Sequence, residues 1–230
     1  MLEWVTKRLT HARTVDEVLV ATSTDPSDKA IIEWCTEASA KCFRGSLDDV
    51  LARFAEAVNH AGAGVVVRIT ADCPLIDPEI VDSVVRRLLD GDLDYCALGG
   101  EFPDGLDCEA MTAEALSRAH TEASLPSERE HVTPYLQRPD RGFRVGSVEP
   151  FVGREHHRWT LDRPEDLAFL RAVADRFGDG PLRPATEELL ALLDAEPELQ
   201  TLNGGIVRNE GYQRSLKQDS EQEGPHALQP

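Results

Sequence analysis

Two aspartates stand where strand-like runs end. Asp72 follows the apolar run of residues 65–70 in "VVVRITADCPLIDP", and Asp162 follows Trp159, Thr160 and Leu161 in "RWTLDRPEDL". In open parallel sheets ligands gather beyond the carboxyl ends of the strands, so both are candidate ligand-facing carboxylates. Two carboxylates delivered from different strands suit Mg²⁺, a hard cation held by one or two of them while substrate phosphate oxygens complete the octahedron. The chemistry this implies is phosphoryl or nucleotidyl transfer, in which such a metal neutralises charge on the reacting phosphate and on the leaving group. Each residue also has a structural reading. Asp162 with Glu165 spells D-x-x-E ahead of an apolar-periodic helix, a capping arrangement, and Asp72 can close a turn before Pro74. Ser127 and Glu130 form an S-x-x-E capping box. His156 and His157, between Arg154 and Arg158, read as a solvated loop, and without cysteine or spaced carboxylate partners they do not make a zinc site.

The elements that would position these residues alternate between apolar runs and amphipathic helices. Residues 2–10 carry Leu2, Val5 and Leu9 at helical spacing, residues 17–22 read as a short strand, and Asp25-Pro26-Ser27-Asp28 opens a helix. A weaker strand over 41–44 precedes Ser46, the expected N-cap of a helix with Leu47, Leu51, Phe54 and Val58 on one face, ended by Gly62 to Gly64. The nearly continuous apolar run of 65–70 is the pattern of a parallel strand buried on both faces. Asp77-Pro78-Glu79 then starts a helix with Ile80, Val81, Val84, Val85, Leu88 and Leu89 as its core stripe. With a strand over 93–98, this β-α-β-α order argues for an α/β domain built on a mostly parallel sheet. Beyond it, "GGEFPDGLDCEAM" is turn-rich, 112–123 a helix, 143–149 and 158–161 strands, and the segment after 163 a helix, with a smaller helix over 184–194. The expected division is one domain over 1–183, a helical extension over 184–216 and a polar, disordered tail over 217–230.

Composition limits the function classes. The 230 residues suffice for one full core. The five cysteines, at 35, 42, 73, 96 and 108, have no C-x-x-C spacing and read as reduced thiols, which points to a cytoplasmic protein. No apolar run is long enough to span a membrane, and no basic-then-apolar leader is visible. A net charge of −18 argues against nucleic acid as a partner. Any phosphate-bearing ligand must be handled locally, by a few arginines, backbone amides or a metal.

The stretches "VDEVLVATSTDPSD", "FRGSLDDVLARF", "VVVRITADCPLIDPEIVD", "FPDGLDCEAM", "SEREHVTPYL" and "RWTLDRPEDL", in this order over roughly residues 1–180, resemble the cytidylyltransferases of sugar activation. The branch resembled is that of spore coat polysaccharide biosynthesis protein F, related to the CMP-Kdo and acylneuraminate enzymes, and "NEGYQRSLKQD" is similar to that branch's tail. The resemblance implies a Rossmann-like nucleotide-diphospho-sugar transferase fold, and transfer of a nucleotide from CTP to a sugar or sugar acid with release of pyrophosphate. It implies that Asp72 and Asp162 bind the metal, that Thr22 and Ser23 meet the base, and that Arg44, Gly45 and Ser46, with Arg68 nearby, cradle base and ribose. It further implies that Asp104, Asp107, Glu130 and His131 lie on the sugar side, His131 assisting deprotonation or orienting the substrate. A homodimer with "EHVTPYL" near the partner is implied as well.

One departure stands out. The family opens with a strand and a loop of the type R…S-x-R-[LF]-P-G-K, and "MLEWVTKRL" resembles the helical segment just after that loop. The expectation is a truncated form or one with a misassigned start, lacking the first strand and loop, about 20–30 residues, with its triphosphate side depleted. Two rival readings remain. A metal-dependent glycosyltransferase would use a D-x-D, for which Asp92-Leu93-Asp94 is the candidate, although it precedes its strand and follows Gly91, as a turn would. A noncatalytic binding subunit is the other.

Overall fold

The computed structural model describes residues 1–178, 180, 182–206 and 208–223. In chain order the elements are α1 (Leu2–Leu9), β1 (Leu19–Ser23), α2 (Lys29–Glu37), β2 (Lys41–Gly45), α3 (Val50–Ala61), β3 (Val65–Arg68), α4 (Pro78–Asp90), β4 (Tyr95–Leu98) and β5 (Glu109–Thr112). They continue with α5 (Ala113–Glu122), α6 (Pro126–His131), α7 (Pro134–Gln137), β6 (Val145–Val148), α8 (Pro164–Phe177), α9 (Thr186–Ala195) and α10 (Glu210–Glu223). Contacts group these into two units that interleave along the chain: the described residues of 1–18, 67–110 and 146–206 in the first, and 19–66, 111–145 and 208–223 in the second.

The first unit is organised by α4. Asp77 caps it by accepting from Glu79 N at 2.9 Å, Pro78 supplies the preset φ of the first turn, and Ile80, Val81, Val84, Val85 and Leu88 are buried on one face. Each such side chain contributes about 1.5–3 kcal/mol on burial. Leu89, expected in this stripe, is instead 58% exposed. The second carboxylate oxygen of Asp77 accepts from the amide and hydroxyl of Thr186 at 3.0 and 2.7 Å, so the starts of α4 and α9 share one carboxylate. On α1 the buried face holds Val5 and Arg8. The Arg8 guanidinium donates to the carbonyls of Ile76 at 2.5 Å and Pro184 at 2.8 Å; burial draws its pKa down and the nearby Asp77 charge pushes it back up.

Two sheets are present among the described residues: a parallel pair β1-β2, and a four-stranded sheet in the order β3-β5-β4-β6. Strand β5 was hidden in the turn-rich stretch. Its Ala110 and Met111 are fully buried, but small residues and flanking turn signals mask the pattern. The expected strand over 158–161 reduces to a single parallel bridge between Arg158 and Asp104, because the partner segment there is a loop.

In the second unit the register Thr22↔Arg44 and Ser23↔Gly45 brings the C-terminal ends of β1 and β2 together. Helix α3 begins at Val50 with Asp49 as its N-cap, not Ser46. Ser46 Oγ accepts from Asp49 N at 3.0 Å, forming a turn that delays the helix. Residues 217–223, expected to be disordered, belong to α10. Their polar composition conceals a docking face: Asp219 is buried, as is Ser215 one turn earlier in the same helix. The rest of the expected tail, 224–230, lies outside the described residues.

Candidate active site

In the first unit three chain segments are laced together around residues 157–162. Leu161 N and Thr160 Oγ1 donate to the Asp72 carbonyl at 2.9 and 3.1 Å. Trp159 N donates to the Asp104 carbonyl at 2.7 Å, and Asp104 N to the His157 carbonyl at 3.0 Å. Gly105 permits this approach: its φ is +98°, and a Cβ there would meet Thr160 N and the Trp159 carbonyl carbon at 2.6 Å. The loops bearing Asp72, Asp104 and Asp107 are thus tied to the strand-like segment leading to Asp162.

Arg158 balances the acids. Its guanidinium donates to Asp104 at 2.9 Å, to Asp162 at 2.8 Å, and to both oxygens of Asp166 at 2.9 Å. Burial lowers its pKa, but the hydrogen bonds to Asp166 and Asp162 outweigh that and leave it above the ordinary arginine range. Asp166 is fully buried; burial raises its carboxyl, and the Arg158 hydrogen bond, with further donation from Asp162 N and Asn203, holds it below the usual range. Asp166 also settles how α8 is capped. It accepts from Asp162 N and Arg163 N at 3.0 Å, so the Asp162/Glu165 capping reading is replaced by one in which Asp166 does that work. The Asp162 side chain remains 51% exposed.

Asp72 is half-buried, and its Oδ1 accepts from Cys73 Sγ at 3.6 Å. Burial, and next the Asp72 charge, keep that thiol well above its ordinary pKa, hence neutral. Asp72 and Asp162 offer hard oxygen donors on hydrogen-bonded neighbouring segments, a donor set that fits Mg²⁺. No cluster of three or more potential metal ligands occurs among the described residues, so substrate or water oxygens would have to complete the coordination. Asp107 accepts from Gly105 N at 3.0 Å, and Asp104 is engaged by Arg158. Arg68 pairs with Glu109 at 2.6 Å, whose other oxygen accepts from Tyr95 at 2.6 Å, so this arginine is committed within the unit.

His157 is buried rather than solvated. Burial is the main reason its pKa falls to about 4, aided by His156 and Arg154. Its ring and Trp159 line a cavity of about 40 Å³ with Phe169, Asn203 and Gly204. The sequence carried a faint signal of this in the alternation of His157 and Trp159 about Arg158.

The second unit holds the remaining residues in two groups. At the ends of β1 and β2, Thr22 Oγ1 and Ser23 N donate to Asp28 at 2.7 and 2.8 Å, which lowers the Asp28 pKa. Arg44 donates to the carbonyls of Ser23 and Thr24 at 3.2 and 2.9 Å. A Cβ on Gly45 would meet Arg53 Cγ at 2.9 Å, and Arg53 donates to the Ser46 carbonyl at 2.6 Å. The second group is Glu130 and His131 at the end of α6. The S-x-x-E reading of Ser127 and Glu130 is corrected here: Leu125 is the N-cap, and the buried Glu128 accepts from Ser124 N and Leu125 N at 3.1 Å. Glu130 instead accepts from Ser215 Oγ at 2.5 Å. Thr133 N donates to the His131 carbonyl at 2.8 Å across Val132, whose φ of 72° and ψ of −51° form a γ-turn of the strained, positive-φ kind. Sequence reasoning missed both this turn and the part played by α10.

Asp92-Leu93-Asp94 forms the turn that closes α4, with Asp92 N bonded to Leu89 O and Leu93 N to Leu88 O. The D-x-D signal of the glycosyltransferase reading is therefore turn chemistry.

This α/β arrangement is that of nucleotidyltransferases with the nucleotide-diphospho-sugar transferase fold. The structure of a cytidylyltransferase from Leptospira borgpetersenii superposes with a TM-score of 0.82 over 90% of this chain and 87% of that one, at 26% identity. A CMP:2-keto-3-deoxy-manno-octonic acid synthetase complexed with CTP shares the fold, with a TM-score of 0.55 over 76% of this chain and 87% of that one, at 16% identity. Residues 1–196 match the family profile described as cytidylyltransferase, and the chain belongs to that family. It is 30% identical over 189 residues to spore coat polysaccharide biosynthesis protein SpsF of Bacillus subtilis, covering 81% of this chain and 78% of that protein. An uncharacterized protein of Methanocaldococcus jannaschii is 33% identical over 214 residues, 92% of this chain and 86% of that protein. No helix among the described residues is long and apolar enough to cross a membrane.

Proposed function

We propose that this chain transfers CMP from CTP to a hydroxyl of a sugar or sugar acid, releasing pyrophosphate, in the synthesis of a surface or spore-coat polysaccharide. The observation that carries the reading is the lacing of the Asp72 and Asp162 segments through the Asp72 carbonyl, which sets two carboxylates on adjoining backbone. Family membership and the roles that relatives are named for, in SpsF and a 3-deoxy-manno-octulosonate cytidylyltransferase, support the substrate classes.

The acceptor oxygen attacks the α-phosphorus in line. The new bond joins that oxygen to the α-phosphorus, the bond from the α-phosphorus to the oxygen bridging it to the β-phosphorus breaks, pyrophosphate leaves with the electron pair, and the hydroxyl proton passes to His131 or to water. Asp72 and Asp162 would hold Mg²⁺, which when bound neutralises charge on the phosphates. Arg158 fixes the Asp162 carboxylate while leaving the side chain half exposed. Thr22, Ser23, Arg44, Gly45 and Ser46 form the base side, and Glu130 and His131 the acceptor side. Positioning and charge neutralisation supply most of the rate enhancement. The reading includes a homodimer and a cytoplasmic setting, the latter in keeping with five free cysteines.

Thermal stability with Mg²⁺ and CTP, UTP, ATP or GTP tests it. Ligand at about 100 Kd adds roughly 2.7 kcal/mol to folding stability, a readily measured shift. Stabilisation by CTP above the other triphosphates, abolished by EDTA, is the expected result. Equal indifference to all four would overturn the reading in favour of a noncatalytic subunit.

A further inference from the structure

Helix α10 docks on α6 at both of its ends. At the α6 N-terminus, Ser127 N donates to Asp219 Oδ1 at 2.9 Å in a buried setting. At its C-terminus, Ser215 and Tyr212 meet the Glu130–His131 pair: the His131 and Tyr212 rings pack edge to face with centroids 5.1 Å apart, and His131 Nε2 lies 3.0 Å from Ser215 Oγ. Ser215 is 1% exposed, whereas His131 keeps 26% and Glu130 52% of their side-chain exposure. The pair is thus supported from α10 without being sealed off.

The hydroxyl of Ser215 has one hydrogen and two carbonyl-type acceptors beside it, Glu130 Oε2 at 2.5 Å and Gly211 O at 3.2 Å. The shorter, charge-assisted bond to the carboxylate takes that hydrogen. Ser215 Oγ is then left as an acceptor toward His131, and the ring must present Nε2–H to it. A neutral His131 held in this way carries its lone pair on Nδ1 alone.

We propose that α10 is a working part of the acceptor side, and that Ser215 is a positioning residue that uses Glu130 to hold His131 in its Nε2–H tautomer. The inference rests on the assignment of His131 to the acceptor side. It adds a serine from the C-terminal helix as the group that decides which ring nitrogen carries the proton. Tyr212 supports the ring, so that tautomer and ring plane are fixed together.

The test begins with nitrogen NMR of imidazole-labelled full-length protein, which needs no substrate. The parent and Ser215→Thr proteins are expected to show His131 as a single Nε2–H species while neutral, and Ser215→Ala a mixture of tautomers. A mixed His131 in the parent, or an unchanged one in folded Ser215→Ala, overturns the proposal. Kinetics come second, with pyrophosphate release measured from CTP and 3-deoxy-manno-octulosonate or N-acetylneuraminate. Ser215→Ala is expected to lower kcat by about 10- to 100-fold with little change in the KM for CTP, and Ser215→Thr to restore it. An equal fall for Ser215→Ala and Ser215→Thr, both folded, counts against it. A parent protein inert toward CTP with both acceptors refutes the cytidylyltransferase reading instead, and the NMR result then decides the role of Ser215 by itself.

Discussion

Arg158 and Asp162 belong to one ion-pair group but are expected to respond oppositely to substitution. Arg158 is nearly buried, and it neutralises Asp104 and the fully buried Asp166. Removing one partner of a buried pair strands the other charge, at a cost of about 3–5 kcal/mol. Arg158→Gln should therefore lower the unfolding free energy obtained from urea titration strongly, by an amount of that order. Asp162 is half exposed, and its bond to Arg158 is worth at most about 1 kcal/mol. Asp162→Asn should leave the same denaturation curve almost unmoved while reducing pyrophosphate release by about 100-fold or more. If Asp162→Asn retains full activity, Asp162 is not a metal ligand in the reaction. That the Asp72 and Asp162 segments adjoin was legible because both residues follow strand-like runs. The role of Asp166 was not, since D-x-x-E and D-x-x-x-D before a helix look alike until the amides are placed.

At the scale of elements, the turn after α6 joins strain to placement. Val132 is fully buried, yet it is a β-branched residue at φ 72°, where a side chain carries a penalty of about 1–3 kcal/mol. In ordinary buried positions glycine is worse than alanine by the lost Cβ contacts and about 0.5–1 kcal/mol of backbone entropy. Here release of strain offsets that loss. Val132→Gly should be at least as stable as Val132→Ala, an inversion of the usual order that paired urea titrations would detect. A glycine variant clearly below the alanine one would mean that the γ-turn is unstrained. The sequence offered "HVTP" with no turn residue at its centre, which is why this bend was invisible. Helices α3 and α4 were legible from apolar spacing, and the Asp77 cap of α4 from the Asp-Pro signal. Strand β5 and the C-terminal part of α10 were missed for a common reason: each owes its place to tertiary burial of small or polar residues, Ala110 in one and Asp219 in the other.

For the molecule as a whole, the fold class followed from the β-α alternation, whereas the interleaving of its two units depends on long-range contacts that no local pattern reports. Charge is the one global property that the sequence states outright, at −18. A triphosphate is itself an anion, and its magnesium complex remains negatively charged at neutral pH. Long-range repulsion then slows encounter, and salt, by shortening the screening length, relieves it. The association rate of CTP with Mg²⁺ present should accordingly rise, by about two- to fivefold, between about 20 and 200 mM NaCl. This is opposite in sign to the behaviour of proteins that gather phosphates over a basic surface. Stopped-flow measurement of nucleotide binding at several salt concentrations would decide it. A rate that falls with salt would show that local cations, Arg44 first among the residues proposed for the base side, outweigh the net charge along the approach path.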